Sequence, residues 1–216
     1  MKPDIVHVRQ INHDNQAPTI ELNSPEYTKL KAAFEKTSFG FWVYLMTDLI
    51  LFGALFAAYG VLHSNTNGGP AGHDIFNLPF VLLETLLLLT SSFSCGIGML
   101  AVHRRSRQPV LILFLVTLIL GLSFLGLEFT EFNKLIAEGN SWRRSGFLSA
   151  FFTIVGTHGL HISIAILWTI VLMVKTFKSG VTEQLVKRYT LLSLFWHMLD
   201  IVWIFIFTIV YLLGAN

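Results

Sequence analysis

The stretch FLSAFFTIVGTHGLHISIAILWTIVLMV, residues 147–174, decides the fold. Its 28 residues hold no Lys, Arg, Asp or Glu. As an α-helix rising about 1.5 Å per residue it would reach about 42 Å, enough to cross a hydrocarbon core of about 30 Å. Four further windows, 39–62, 78–102, 109–132 and 190–213, also lack Lys and Arg and each have 24 or 25 residues. In lipid every backbone amide must find its partner within the protein, which leaves helices or a closed barrel. Period-2 alternation is missing and the runs are far too long for barrel strands, so five transmembrane helices are predicted.

The rest of the composition agrees. Of 216 residues, 53% are hydrophobic and only 13% are Asp, Glu, Lys or Arg, about half the charged share of a soluble domain; mean hydropathy is +0.63. Such a chain is solvated largely by lipid, and a role in nucleic-acid binding is excluded. The single cysteine, Cys95, sits in an apolar run and reads as a small packed hydrophobe, with no redox dithiol or zinc spacing around it. No removable signal peptide is visible, so the first span is expected to direct insertion.

All fifteen basic residues fall outside the five windows, and their placement sets an expected orientation. Twelve lie on the side of the N-terminus: Lys2, Arg9, Lys29, Lys31, Lys36, Arg104, Arg105, Arg107, Lys175, Lys178, Lys187 and Arg188. Three, Lys134, Arg143 and Arg144, lie opposite. The positive-inside bias then puts the N-terminus in the cytoplasm and the C-terminus outside. Residues 1–22 read as a disordered cytoplasmic tail and 23–38 as an interfacial helix, with Ser24 as cap and Pro25 at its first position; 39–214 form the membrane domain. Asn67-Gly-Gly-Pro70 reads as an outer turn.

An acidic side chain at the centre of a lone membrane helix costs about 2.5–3.5 kcal/mol. The spans nevertheless contain Asp48, Glu84, Glu128, Glu131 and Asp200, with His158, His161 and His197. Counted from the span ends, Asp48, His158, His161, His197 and Asp200 fall near mid-membrane, and the three glutamates toward the outer side. His158 and His161, and likewise His197 and Asp200, are three apart and share helix faces. Two readings follow. The histidines and acids satisfy one another and fix helix register, as buried polar groups in spans commonly do, or they ligate a metal or haem. Asp48 has no basic partner on its own helix, which makes its carboxyl a candidate for proton exchange or for bonding lipid in place of an ion pair. Glu128 and Glu131 are within sequence reach of Arg143 and Arg144 for an ordinary solvated pair. No nucleotide-binding glycine loop, hydrolase elbow or zinc-protease helix is present.

Five longer motifs carry a resemblance: FGFWVYLMTD (39–48), LPFVLLET (78–85), SGFLSAFF (145–152), GTHGLH (156–161) and LFWHMLDIVW (194–203). In this order they resemble subunit III of the haem-copper oxidases, from about residue 37 to Gly214. Five spans in place of seven, and Asp at position 48 where the cytochrome c branch has Glu, are similar to the bacterial quinol-oxidase branch of cytochrome o type. The resemblance implies a non-catalytic subunit of a proton-translocating ubiquinol oxidase that reduces dioxygen to water. It implies subunit I and further oxidase subunits as partners, with haem b, haem o and copper held in subunit I and none in this chain. It also implies two helix groups around a V-shaped cleft containing phospholipid, with Asp48 in that cleft, Glu131 in the second group, and a bacterial inner-membrane location. Stabilising subunit I, supporting proton uptake and shaping an oxygen route are the implied roles. A menaquinol or cytochrome c oxidase subunit, a haem- or metal-binding membrane enzyme and a proton-coupled transporter stand as alternatives.

Overall fold

The computed structural model describes residues 25–70 and 72–214; the tail expected at 1–22 lies outside them. Six α-helices follow in chain order: α1 (Pro25–Leu62), α2 (Gly72–Ile75), α3 (Leu78–His103), α4 (Arg107–Ala137), α5 (Gly146–Ser179) and α6 (Glu183–Ile206), the last continued by a π-helical stretch at Phe207–Leu212. Among the described residues five segments are long and apolar enough to cross a membrane: Glu35–Leu62, Leu78–His103, Arg107–Ala137, Gly146–Ser179 and Glu183–Leu212. The protein is an all-α membrane protein with five spans. Most helices run past the windows free of Lys and Arg, because those windows mark the hydrocarbon while helical hydrogen bonding continues into the wet interface.

Helix ends follow local chemistry. Ser145 accepts from the Leu148 amide at 3.2 Å and Thr182 from the Leu185 amide at 3.4 Å, capping α5 and α6. Pro79 stands in the first turn of α3. Gly180, at φ +69°, ends α5 in a conformation that L side chains rarely adopt. Asn67 and Gly68 take left-handed φ values of 50° and 72° in the turn before α2.

In lipid the alternative to a packed apolar face is hydrocarbon, so helix association depends on close contact and interhelical hydrogen bonds. Both are concentrated among α3–α6. Helix α3 packs on α4 and α6, and α5 on α4 and α6. Gly98 seats the Phe114 ring, where a Cβ would stand 3.0 Å away, and Gly121 seats Trp196 at 2.9 Å. Ser91 and Ser94 donate to the Thr117 and Leu113 carbonyls of α4 at 3.1 and 3.0 Å. Trp203 Nε1 donates to Thr85 Oγ1 at 3.1 Å, and the Thr176 and Tyr189 hydroxyls meet at 2.9 Å.

Helix α1 joins differently. From Phe41 to Tyr59 large side chains recur at helical spacing, and ring contacts near 6 Å reach Trp168, Phe195, Phe205 and Phe147 on α5 and α6. Its backbone makes no close packing comparable to that among α3–α6. Gly40, Gly53 and Gly60 have nothing within 4 Å of a built Cβ and so do not draw α1 inward. Aromatic spacers hold it at a distance. Large apolar side chains such as Phe93, Leu167 and Val61 point outward from the bundle, as lipid requires.

Candidate functional site

The buried polar residues form linked groups along the inner faces of the spans. At Asp48 the partner missing from α1 comes from α5: His161 Nε2 lies 3.0 Å from Asp48 Oδ1, with the two side chains 12% and 6% exposed. His161 is distant in sequence and adjacent in the bundle, so a partner that α1 itself does not supply reaches Asp48 from another span. His161 Nδ1 lies 2.7 Å from the Thr157 carbonyl, which only accepts, so Nδ1 carries a hydrogen. One further proton must then lie between Nε2 and Oδ1. Placed on nitrogen it gives an ion pair, and placed on oxygen it gives a neutral acid bonded to neutral imidazole; the pair is neutral overall either way. Asp48 Oδ2 is buried without a hydrogen-bond partner. Phe52 and Phe195 stand 5.5 and 6.3 Å from the imidazole and keep the pair in apolar surroundings.

His158, one turn before His161 and fully buried, turns toward α6, where Nε2 donates to the Leu199 carbonyl at 3.2 Å. Phe124 and Trp203 flank its ring at 5.8 and 5.1 Å. His197 Nδ1 meets Ser92 Oγ of α3 at 2.7 Å, and Asp200 lies beside Ser92 and His197. His158 and His161 therefore serve different neighbours despite sharing a helix face. Nε2 of His158 and Nδ1 of His161 each bond a backbone carbonyl, of Leu199 and Thr157. Among the described residues no group of three or more His, Cys, Asp or Glu is arranged to hold a metal ion.

The three glutamates gather within electrostatic reach of one another. Glu84 of α3 is fully buried with neither oxygen hydrogen-bonded, and Glu128 of α4 is 3% exposed. Glu131 accepts from Tyr211 Oη at 2.8 Å. Gly159 of α5 makes room for Glu128, since a Cβ there would stand 2.6 Å from Oε1. The expected approach of Arg143 and Arg144 is corrected: among the described residues neither pairs with Glu128 or Glu131, and Arg144 donates to Asn140 Oδ1 at 2.7 Å. Glu128 faces α5 inside the bundle, while both arginines follow the end of α4. Tyr211, Ser92 and Thr85 were not singled out from sequence. The spacing of Trp203, Phe207 and Tyr211 by four could have exposed the first, but single hydroxyls in an apolar run carry no signal of their partners.

The arrangement defines a multi-pass membrane protein whose spans are tied by buried polar contacts. Comparison with known proteins places it further. A sequence profile described as "Cytochrome c oxidase subunit III" matches residues 27–215. Over 179 residues the chain is 54% identical to "Cytochrome bo(3) ubiquinol oxidase subunit 3" of Pseudomonas aeruginosa, covering 83% of this chain and 86% of that one. It is 43% identical over 177 residues to "Quinol oxidase subunit 3" of Bacillus subtilis, covering 82% and 87%. It is 42% identical over 175 residues to "Cytochrome c oxidase subunit 3" of a Bacillus species, covering 81% and 84%. The chain belongs to the cytochrome c oxidase subunit III family of the haem-copper oxidases, and its partners are other oxidase subunits.

Proposed function

We propose that the chain is subunit III of a bacterial proton-translocating ubiquinol oxidase that reduces dioxygen to water. The observation that carries this reading is the 54% identity to a ubiquinol oxidase subunit, against 42–43% for the cytochrome c and Bacillus quinol oxidase subunits above. The complex lies in the inner membrane with the N-terminus cytoplasmic and the C-terminus periplasmic, following the basic residues. Haem b, haem o and copper belong to subunit I, as membership of the subunit III family implies.

Within that complex the chain acts as a scaffold for subunit I. The stand-off of α1 supports a lipid-containing cleft beside it, with the Asp48–His161 pair at its wall. Phospholipid there keeps subunit I in its working state, and the single proton of the pair gives the cleft a group able to exchange one. Purification from native membrane tests the assignment. The chain should co-purify with a haem-carrying subunit in a complex that oxidises ubiquinol and leaves reduced cytochrome c untouched; oxidation of cytochrome c by that complex would assign it to the other branch.

A further inference from the structure

Away from the Asp48 pair, a groove of about 380 Å³ opens between α4 and α5, lined by Leu111, Ile112, Leu115, Met173, Val174 and Phe177. On each helix these residues follow an i, i+1, i+4 pattern, beside the inward faces of Phe114 and Thr176, which point to Tyr189 of α6. Its lining reaches as far as Leu115 on α4 and Met173 on α5. At the other end stands Arg107. Its guanidinium lies 5.0 Å from the centre of the Phe177 ring and donates to the Phe177 carbonyl. Arg104, Arg105, Lys175 and Lys178 are exposed around that end, and Glu183, the one acidic residue near it on α3–α6, is paired with Lys187.

We propose that this groove binds an anionic phospholipid, with one acyl chain along the apolar lining and the phosphate beside Arg107 and its basic neighbours. Depth favours an acyl chain over a partner helix. From Arg107 to Leu115 the groove runs about 12 Å along the helix axis, close to half of a hydrocarbon core about 30 Å thick, whereas a packed helix would need a groove along the whole span. Charge selects the headgroup, because Lys and Arg side chains near a membrane surface attract anionic lipid. Arg107 is also pre-positioned: with one N–H on the Phe177 carbonyl and its face on the ring, it keeps further donors for a phosphate.

The test uses the intact oxidase complex and counts retained phosphatidylglycerol, cardiolipin and phosphatidylethanolamine by mass spectrometry of extracted lipid. Val174→Trp, which fills the groove from an exposed position, should lose one anionic phospholipid per complex. Arg107→Gln should lose the same lipid, and Arg107→Lys should retain it. Asp48→Leu should leave this lipid in place, which separates the groove from the cleft. Unchanged anionic lipid in Val174→Trp would overturn the proposal. So would equal loss of phosphatidylethanolamine, which would remove the role of charge. A photo-crosslinker at position 174 that labels a protein subunit and no lipid would make the groove a subunit contact and refute the lipid assignment.

Discussion

The Asp48 carboxyl group of α1 and the His161 imidazole of α5 meet at 3.0 Å. Asp48→Asn keeps a hydrogen bond to Nε2 by donating its amide N–H, while Asp48→Leu leaves a buried imidazole nitrogen unpaired at a cost of about 1–3 kcal/mol. Asp48→Asn should therefore assemble and retain most quinol oxidase activity. Asp48→Leu should lose cleft phospholipid or shorten the working life of the enzyme, measured by lipid analysis and by inactivation kinetics during turnover. Collapse of activity in an assembled Asp48→Asn complex would make proton exchange at this pair essential and refute a mainly structural role.

Glycine substitutions separate contact from propensity. Gly159→Ala sets a methyl group against the Glu128 carboxylate, where the built Cβ stands 2.6 Å from Oε1. It should destabilise the chain by about 1–3 kcal/mol and lower the melting temperature of the complex. Gly126→Ala, with nothing within 4 Å of its Cβ, should be neutral or stabilise by up to about 1 kcal/mol. Equal effects of the two would show that close approach at Gly159 carries no weight.

The histidines can be tested against ligation. His158→Ala and His197→Ala remove the bonds to the Leu199 carbonyl and to Ser92. Both should weaken association or thermal stability while the haem absorption spectrum of the assembled complex stays unchanged. Loss of a haem band in either variant, with all subunits present, would assign that histidine as a ligand.

Topology follows from the basic residues. Reporter fusions after Lys36, Arg107 and Lys178 should report cytoplasm, and fusions near Asn67, Asn140 and Asn216 the periplasm. A cytoplasmic signal at Asn216 would contradict five spans with the N-terminus inside.

Five spans were legible because lipid forbids unpaired backbone and excludes Lys and Arg, and both constraints act along the chain. The polar residues of the site were legible for the same reason, since each costs free energy in its span and stands out from its neighbours. Their partners were not. Asp48 takes His161 from another span, and Glu131 takes Tyr211, pairings fixed by how the helices lie side by side. Gly159 shows the same limit: as a residue it is one of sixteen glycines, and only the packed bundle reveals that its missing side chain admits Glu128.

The distance in sequence between Asp48 and His161 has a consequence for biogenesis. Helix α1 leaves the ribosome more than a hundred residues ahead of the histidine that completes its pair. At about 5–20 residues per second, translation leaves that gap open for on the order of ten seconds. Through that interval the nascent first span carries a carboxyl group with no proton-sharing partner in this chain, and its aromatic side chains have no α5 or α6 to rest on. Whatever attends the insertion machinery during those seconds, whether lipid, chaperone or a subunit already in the membrane, has first access to the face that α5 later covers. The order of synthesis thus opens a time window for recruiting the surroundings of α1 that closes when His161 arrives.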